Sequence, residues 1–178
     1  MSESRRILYH HRIRADDGQA VHVRELIGAL RAAGHEVLEC ALVPKTGAAL
    51  GALPAPPSTK KQTKKQTKKH LWQRLSLPRT AVEVLGVLYN GKGRAMLRAA
   101  ARTFRPDFVY ERHALHCRAG LDVARELGVP LLLEVNSPMV AEMRQLGLLR
   151  LPRRAAATER EVLGGADAVL PVTAVLGE

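Results

Sequence analysis

Apolar and polar positions alternate in blocks along the chain, and these blocks predict strands that take turns with helices. Short apolar runs, bounded by polar residues or glycine, predict five strands at 6–13, 37–43, 107–111, 131–135 and 168–172. The run at 131–135 is typical of a parallel strand that is covered on both faces. The pattern therefore predicts an α/β fold, a Rossmann-like, doubly wound domain with an open parallel sheet of about five strands and helices on both faces.

The segments between these runs carry a helical period. The first helix is predicted to begin at an N-cap, Asp16 or Asp17, and to stop at Gly34, with one apolar face formed by Val23, Leu26, Ile27 and Leu30. Further helices are predicted at 71–88, 92–104, 115–127 and about 153–163. The dipeptide Asn90-Gly91 lies between the first two of these, and we interpret it as a turn.

One segment, at about residues 44–70, breaks this pattern. It is rich in Gly, Ala and Pro and then repeats Thr-Lys-Lys, so that six lysines lie within Lys60–Lys69 and supply more than half of the formal charge of +11. Like charges four residues apart disfavour an isolated helix, so we predict a disordered insertion. A solvated loop is its plainest interpretation, and attraction to an anionic membrane surface is an alternative. A nucleic-acid arm is disfavoured, because aromatic residues make up only 3% of the chain.

Length and composition limit the class of protein. A chain of 178 residues with 46% hydrophobic residues predicts a single packed domain over 1–178, interrupted by the lysine-rich insertion. Two cysteines, Cys40 and Cys117, do not make a disulfide framework. The first residues include no apolar stretch long enough for a signal peptide, and no window approaches the roughly 20 apolar residues of a membrane span. We therefore expect a cytoplasmic protein, with peripheral association at the inner membrane face as an alternative.

Open parallel sheets bind ligands outside the carboxyl ends of their strands, and this rule selects the loops at 10–19, from 44 onward, 112–116 and 136–139. In the first loop, Gly18 and Gln19 begin a helix, where free N–H groups and the helix dipole favour an anion such as phosphate. A short turn without a ligand is the alternative. The dinucleotide fingerprint G-x-G-x-x-G is missing, since only Gly18 is in place.

Ionisable residues follow the third predicted strand. We expect His113 to position a hydroxyl or assist a phosphate, and Glu111 and Arg112 to bind polar substrate groups. An ordinary salt-bridged loop is the alternative. The spacing gives no metal set, because the cysteines lack neighbouring ligands and His113 with His116 is a lone pair.

Two further strand ends carry candidates. Glu134 lies inside an apolar run, where a charged group must find a partner, so we assign it to a substrate site together with Asn136 and Ser137. His10 and His11 end the first strand, where alternation predicts one side chain packed inward and the other solvated.

Several motifs occur together in the order in which family 4 glycosyltransferases carry them. They are Ile7–His11, Asp17–Val37, Arg105–His113, Gly128–Pro138 and Ala166–Thr173. The resemblance covers nearly all of the chain outside the lysine-rich insertion. Each motif is weak alone, but the ordered set resembles this family specifically.

The resemblance implies a GT-B enzyme, in which two Rossmann-like domains face each other across a cleft. Such an enzyme transfers sugar from a nucleotide-sugar with retention of configuration, so the nucleotide-sugar is a substrate and no cofactor or metal is implied. On this chain it implies a site for a sugar or lipid acceptor, a loop at Gly18 that approaches the donor phosphate, and catalytic positions at His113 and Asn136. Many members carry histidine where this chain has Asn136, and two adjacent glycines where it has Asp17-Gly18.

The resemblance also implies a C-terminal donor domain with a pair of glutamates that hold the nucleotide-sugar. No residues after Glu178 supply them, and Glu159 and Glu161 lie too close together, in a predicted helix. We therefore expect the acceptor-side domain of a retaining glycosyltransferase, truncated and inactive without a C-terminal domain or partner chain. The alternative is a non-catalytic binding module for a glycan, lipid or anionic ligand, with a basic arm for an anionic membrane.

Overall fold

Five parallel strands form one sheet in the order β2-β1-β3-β4-β5 in the computed structural model, which describes residues 3–46 and 77–172. The strands are β1 (Arg6–His11), β2 (Glu36–Ala41), β3 (Phe108–Arg112), β4 (Leu131–Val135) and β5 (Ala168–Pro171). The predicted α/β class is confirmed. The strand order reverses between β1 and β3, and this switch point is where sheets of this kind leave a crevice at their carboxyl edge.

Helices cover both faces of the sheet. They are α1 (Gly18–Ala32), α2 (Arg79–Phe104), α3 (Ala119–Leu127), α4 (Met139–Gln145) and α5 (Pro152–Gly165). Helix α1 packs Val23 and Ile27 on one face of the sheet, whereas α2, α3 and α5 pack Leu97, Leu121 and Val162 on the other. The short helix α4 was not predicted. None of the helices within the described ranges combines the length and apolar character needed to cross a membrane.

The second helix runs without interruption through Asn90-Gly91, so the predicted turn there was wrong. The Asn90 side chain donates to the backbone oxygen of His116 (2.8 Å) and accepts from the backbone N–H of Arg118 (2.8 Å). A Cβ atom at Gly93 would lie 2.9 Å from the Cβ atom of Ala119, so glycine permits the close approach of α2 and α3. Both residue types serve helix packing here, and neither breaks the helix.

Both histidines at the end of β1 are fully buried, so the prediction of one solvated side chain was wrong. His11 Nδ1 accepts the N–H of Ile13 (3.2 Å), which leaves the proton on Nε2, 2.8 Å from Glu39 Oε1. Glu39 also accepts two hydrogen bonds from Thr46. Burial raises the pKa of Glu39, but these hydrogen bonds outweigh it and bring the pKa to about 2. Glu39 thus ties the loop after β2 to the sheet.

The structure describes the loop after β2 as far as Thr46. Its last residues, 44–46, belong to the range of about 44–70 that was predicted to be disordered. The other predictions for residues 47–76, including those for Lys60–Lys69 and for a helix start at 71, lie outside the described residues, as does Thr173.

Candidate functional site

A cavity of about 130 Å³ opens at the switch point between β1 and β3, beside the start of α1. Its polar lining consists of Arg12, Gln19, Arg112 and His113. The fold therefore brings together three of the residues selected from the sequence. Gly18, Glu111, Glu134, Asn136 and Ser137 do not line this cavity.

His113 is buried at this cavity, and neither of its ring nitrogens has a hydrogen-bond partner within the described part of the chain. Glu159 on α5 is close to this ring, but its Oε1 lies 3.5 Å from His113 Nε2, beyond good hydrogen-bond distance. The imidazole beside it, together with the N–H of Val140, holds the pKa of Glu159 below its usual value. The His113 ring therefore has free capacity for a ligand hydroxyl or phosphate oxygen.

The start of α1 is already capped by the protein itself. The Asp17 side chain accepts the N–H of Gln19 at 3.0 Å, so this amide is not free for an anion. Gly18 is exposed, and a Cβ atom there would meet nothing within 4 Å. Packing therefore does not require glycine at this position.

A buried cluster on the α1 face of the sheet surrounds Glu134, which is only 2% exposed. Its carboxylate pairs with Arg112, accepts from the Tyr110 hydroxyl (3.2 Å) and lies 3.1 Å from His22 Nε2. Asn136 also donates to it, at 3.0 Å. The cluster balances the Arg112 charge and fixes the orientation of the Asn136 amide. The proposed substrate roles of Glu134 and Asn136 stay predictions.

Glu111 lies on the opposite face of the sheet, away from the cavity. Its Oε1 is 2.6 Å from His10 Nδ1 and accepts from the Cys117 thiol (3.2 Å), while His10 Nε2 is 2.8 Å from the Tyr89 hydroxyl. Burial raises the pKa of Glu111, but His10 and the other contacts hold it below its usual value. The carboxylate packs directly on Gly120. These contacts hold Glu111 in the core, and its predicted role in binding polar substrate groups stays a prediction.

His10, Glu111 and Cys117 together bring three possible metal-ligand atoms within 4.8 Å of one another. Their separation in the sequence gives no sign of this cluster. The 2.6 Å between His10 Nδ1 and Glu111 Oε1 is a hydrogen-bond distance, so these atoms bind each other.

Sequence reasoning missed two side chains near the cavity, Arg12 and Glu159. Arg12 directly follows β1 and lies in the loop at 10–19, which the rule of strand carboxyl ends selects. Its guanidinium stacks over the Tyr89 ring at 4.4 Å. Glu159 lies on a helix, where no local signal marks it.

A doubly wound sheet with a polar cavity at its switch point places this chain in the α/β class, whose members bind ligands at that point of the sheet. The sequence matches the model of Glycosyltransferase Family 4 over residues 17–178. The chain belongs to glycosyltransferase family 4, which confirms the resemblance of its motifs.

Two solved structures are similar to this chain. One is SsfS6, a glycosyltransferase from Streptomyces sp. SF2575, with 26% sequence identity and a TM-score of 0.46, over 87% of this chain and 46% of SsfS6. The other is the glycosyltransferase SnogD from Streptomyces nogalater, with 21% identity and a TM-score of 0.46, over 96% of this chain and 46% of SnogD. The chain therefore spans about half the length of these proteins. No curated protein matches it.

Proposed function

We propose that this chain is the acceptor-side domain of a retaining, nucleotide-sugar-dependent glycosyltransferase, which works with a C-terminal donor domain or partner chain. Membership of the family supports sugar transfer in general. The observation that carries the site is the cavity at the switch point, which is lined by Arg12, Gln19 and the His113 imidazole, a ring without a hydrogen-bond partner among the described residues. Donors and acceptors of this kind suit sugar hydroxyls and phosphate oxygens.

Each side chain has a role that follows from its chemistry. His113 would hydrogen-bond a substrate hydroxyl and hold it in line for transfer, which is a positional contribution to the rate. The Arg12 guanidinium would attract an anionic group of a substrate. Stabilisation of the departing nucleotide phosphate would come mainly from the donor-binding half, so we expect the domain to be inactive without it.

Replacing His113 tests this function. The native protein, isolated with any chain that co-purifies, is assayed for nucleotide release and glycoside formation with a panel of nucleotide-sugars. We expect His113→Ala to lower turnover by about 100-fold or more, because the hydroxyl loses its positioning partner. His35→Ala, at the amino edge of the sheet, is the matched control and should leave turnover unchanged.

Three results would overturn parts of the proposal. Full turnover in His113→Ala would remove this residue from the site. A product of inverted anomeric configuration, read by NMR, would exclude retention. Absence of transfer with every donor, while a glycan or lipid still binds, would favour a non-catalytic binding module.

We also propose that the protein associates with anionic membranes. The region around the start of α2 favours this idea, because Leu77 before the helix and Leu85 and Leu88 in its first half are 58%, 54% and 65% exposed. The six lysines of Lys60–Lys69 precede this helix in the sequence, although they lie outside the described residues. Apolar and cationic groups in neighbouring segments are typical of peripheral membrane binding.

Sedimentation with liposomes tests the membrane proposal. At low salt we expect binding to vesicles that contain phosphatidylserine and little binding to pure phosphatidylcholine, since each lysine near an anionic surface contributes about 1 kcal/mol. Deletion of residues 59–69 should abolish this difference. Equal binding to both vesicle types, or binding that survives the deletion, would contradict the proposal.

A further inference from the structure

A second and larger cavity, of about 320 Å³, adjoins the His113 cavity. The two cavities share Arg12, Ala114 and Met139 in their walls. The rest of the larger cavity is mainly apolar, with side chains from α2, the loop after β3 and the α4 region: Val82, Leu115, Met143 and Leu148. A space of this size and character suits an apolar ring system or short alkyl chain rather than a bare sugar.

The cavity lining carries positive charge that no neighbouring carboxylate of the described residues compensates. Arg12 and Arg79 both line it, and neither lies within 4.0 Å of a carboxylate from the described ranges 3–46 and 77–172. Arg12 is held in place by its stacking on Tyr89 and by a 3.0 Å hydrogen bond to the backbone oxygen of Leu115. Its position is therefore fixed without neutralising its charge.

The acidic group in this lining, Glu83, is already engaged. It accepts the backbone N–H groups of Arg150 (2.6 Å) and Leu151 (2.9 Å) and lies 3.1 Å from His116 Nε2. Burial raises the pKa of Glu83, but these donors hold it below its usual value. Glu83 thus fixes the start of α5, and its charge is compensated by its own partners.

Two further features of the lining of the larger cavity favour a bound ligand. His116 has a left-handed backbone (φ 60°), and its Nδ1 atom is buried with no hydrogen-bond partner in the described part of the chain. Gly86 lies opposite Arg12, and a Cβ atom there would be 3.6 Å from the guanidinium. The absence of a side chain at Gly86 keeps the space beside Arg12 open.

We infer that this cavity binds an amphiphilic anion, with its apolar body among the methionines and leucines and its acidic group against Arg12 and Arg79. The inference rests on the proposed function and names the acceptor class for it. A hydroxyl on the same molecule can enter the adjoining cavity at His113, because the two cavities share a wall. The acidic group can be a lipid phosphate or an aromatic carboxylate, which share this chemistry.

Paired fluorescent probes test this site on the full chain without any donor sugar. The anionic probe is 8-anilinonaphthalene-1-sulfonate, and N-phenyl-1-naphthylamine has nearly the same apolar body without the charge. We expect the anionic probe to bind at least about tenfold more tightly. Arg12→Gln should remove this preference. Dihexanoyl phosphatidate and 2-naphthoate, added as competitors, then distinguish a lipid phosphate from an aromatic carboxylate.

Matched variants locate the probe. Gly86→Leu fills the space beside Arg12 and should weaken the anionic probe about tenfold or more, whereas Gly91→Leu, on the exposed side of the same helix, should not. Met143→Trp narrows the cavity from α4 and gives a second test against the exposed Gln145→Trp. Equal affinity for the two probes, or equal effects within each matched pair, would overturn the inference. Since no sugar transfer is measured, these outcomes are separate from failure of the glycosyltransferase assay.

Discussion

Gly120→Ala is expected to destabilise the domain by about 3 kcal/mol or more. A Cβ atom at this position would overlap Glu111 Oε2 and lie 2.7 Å from its Cδ. The carboxylate cannot retreat without breaking its 2.6 Å contact with His10, which is itself fully buried. Overpacking alone costs about 1–3 kcal/mol, and a broken buried pair costs about 3–5 kcal/mol. Urea unfolding followed by circular dichroism measures the change.

Gly28→Ala is the matched control for this substitution. Gly28 lies in the middle of α1, and a Cβ atom there would meet nothing within 4 Å. We expect the free energy of unfolding of this variant to rise by about 0.5–1 kcal/mol, because alanine has a higher helix propensity than glycine. If Gly120→Ala is as stable as Gly28→Ala, the Glu111 carboxylate does not sit on the α3 backbone.

Glu134→Ala is expected to destabilise the protein by about 3–5 kcal/mol. The substitution leaves the buried Arg112 guanidinium without a counter-charge, since Glu134 is its carboxylate partner within the described residues. Tyr110 and Asn136 lose their shared acceptor as well. The free energy of unfolding in urea is again the quantity measured.

A double variant separates the ion pair from the space that it fills. Arg112→Met combined with Glu134→Leu removes both charges and keeps much of the volume, so most of the lost stability should return. If Glu134→Ala lowers the free energy of unfolding by less than about 1 kcal/mol, the Arg112 guanidinium reaches water. A double variant no more stable than Glu134→Ala would show that the hydrogen bonds to Tyr110 and Asn136 dominate.

The strands could be predicted because buried parallel strands leave a local signal. The run at 131–135 matches β4 to the residue, and Asp17, one of the two predicted N-cap candidates, caps α1. The helix α2 was misread at Asn90-Gly91 because a local rule treats asparagine and glycine as turn formers. In the fold, Asn90 binds the loop after β3, which is 26–28 residues away in sequence.

The location of the candidate site could be predicted from the sequence, but the hydrogen-bond and ion-pair partners of its residues could not. The rule of strand carboxyl ends selected the loops of Gln19, Arg112 and His113, and these residues do share a cavity. The partners of the buried acidic residues are far away in the sequence. Glu111 binds a histidine 101 residues earlier, and Glu134 is 112 residues from His22. Such pairs depend on strand order and on which face a side chain takes, and no short window of sequence contains either.

The place of β1 between β2 and β3 has a consequence for the chain during its synthesis. β1 and β2 are close in sequence, but the residues that pair β1 with β3 are about a hundred positions apart, as His10 and Glu111 are. At the usual pace of a ribosome this separation takes on the order of ten seconds to translate. For that interval the nascent β1 strand has one unpaired edge and a histidine without its carboxylate. A strand that lies inside the finished sheet, between β2 and β3, is therefore an open edge while the protein is being made.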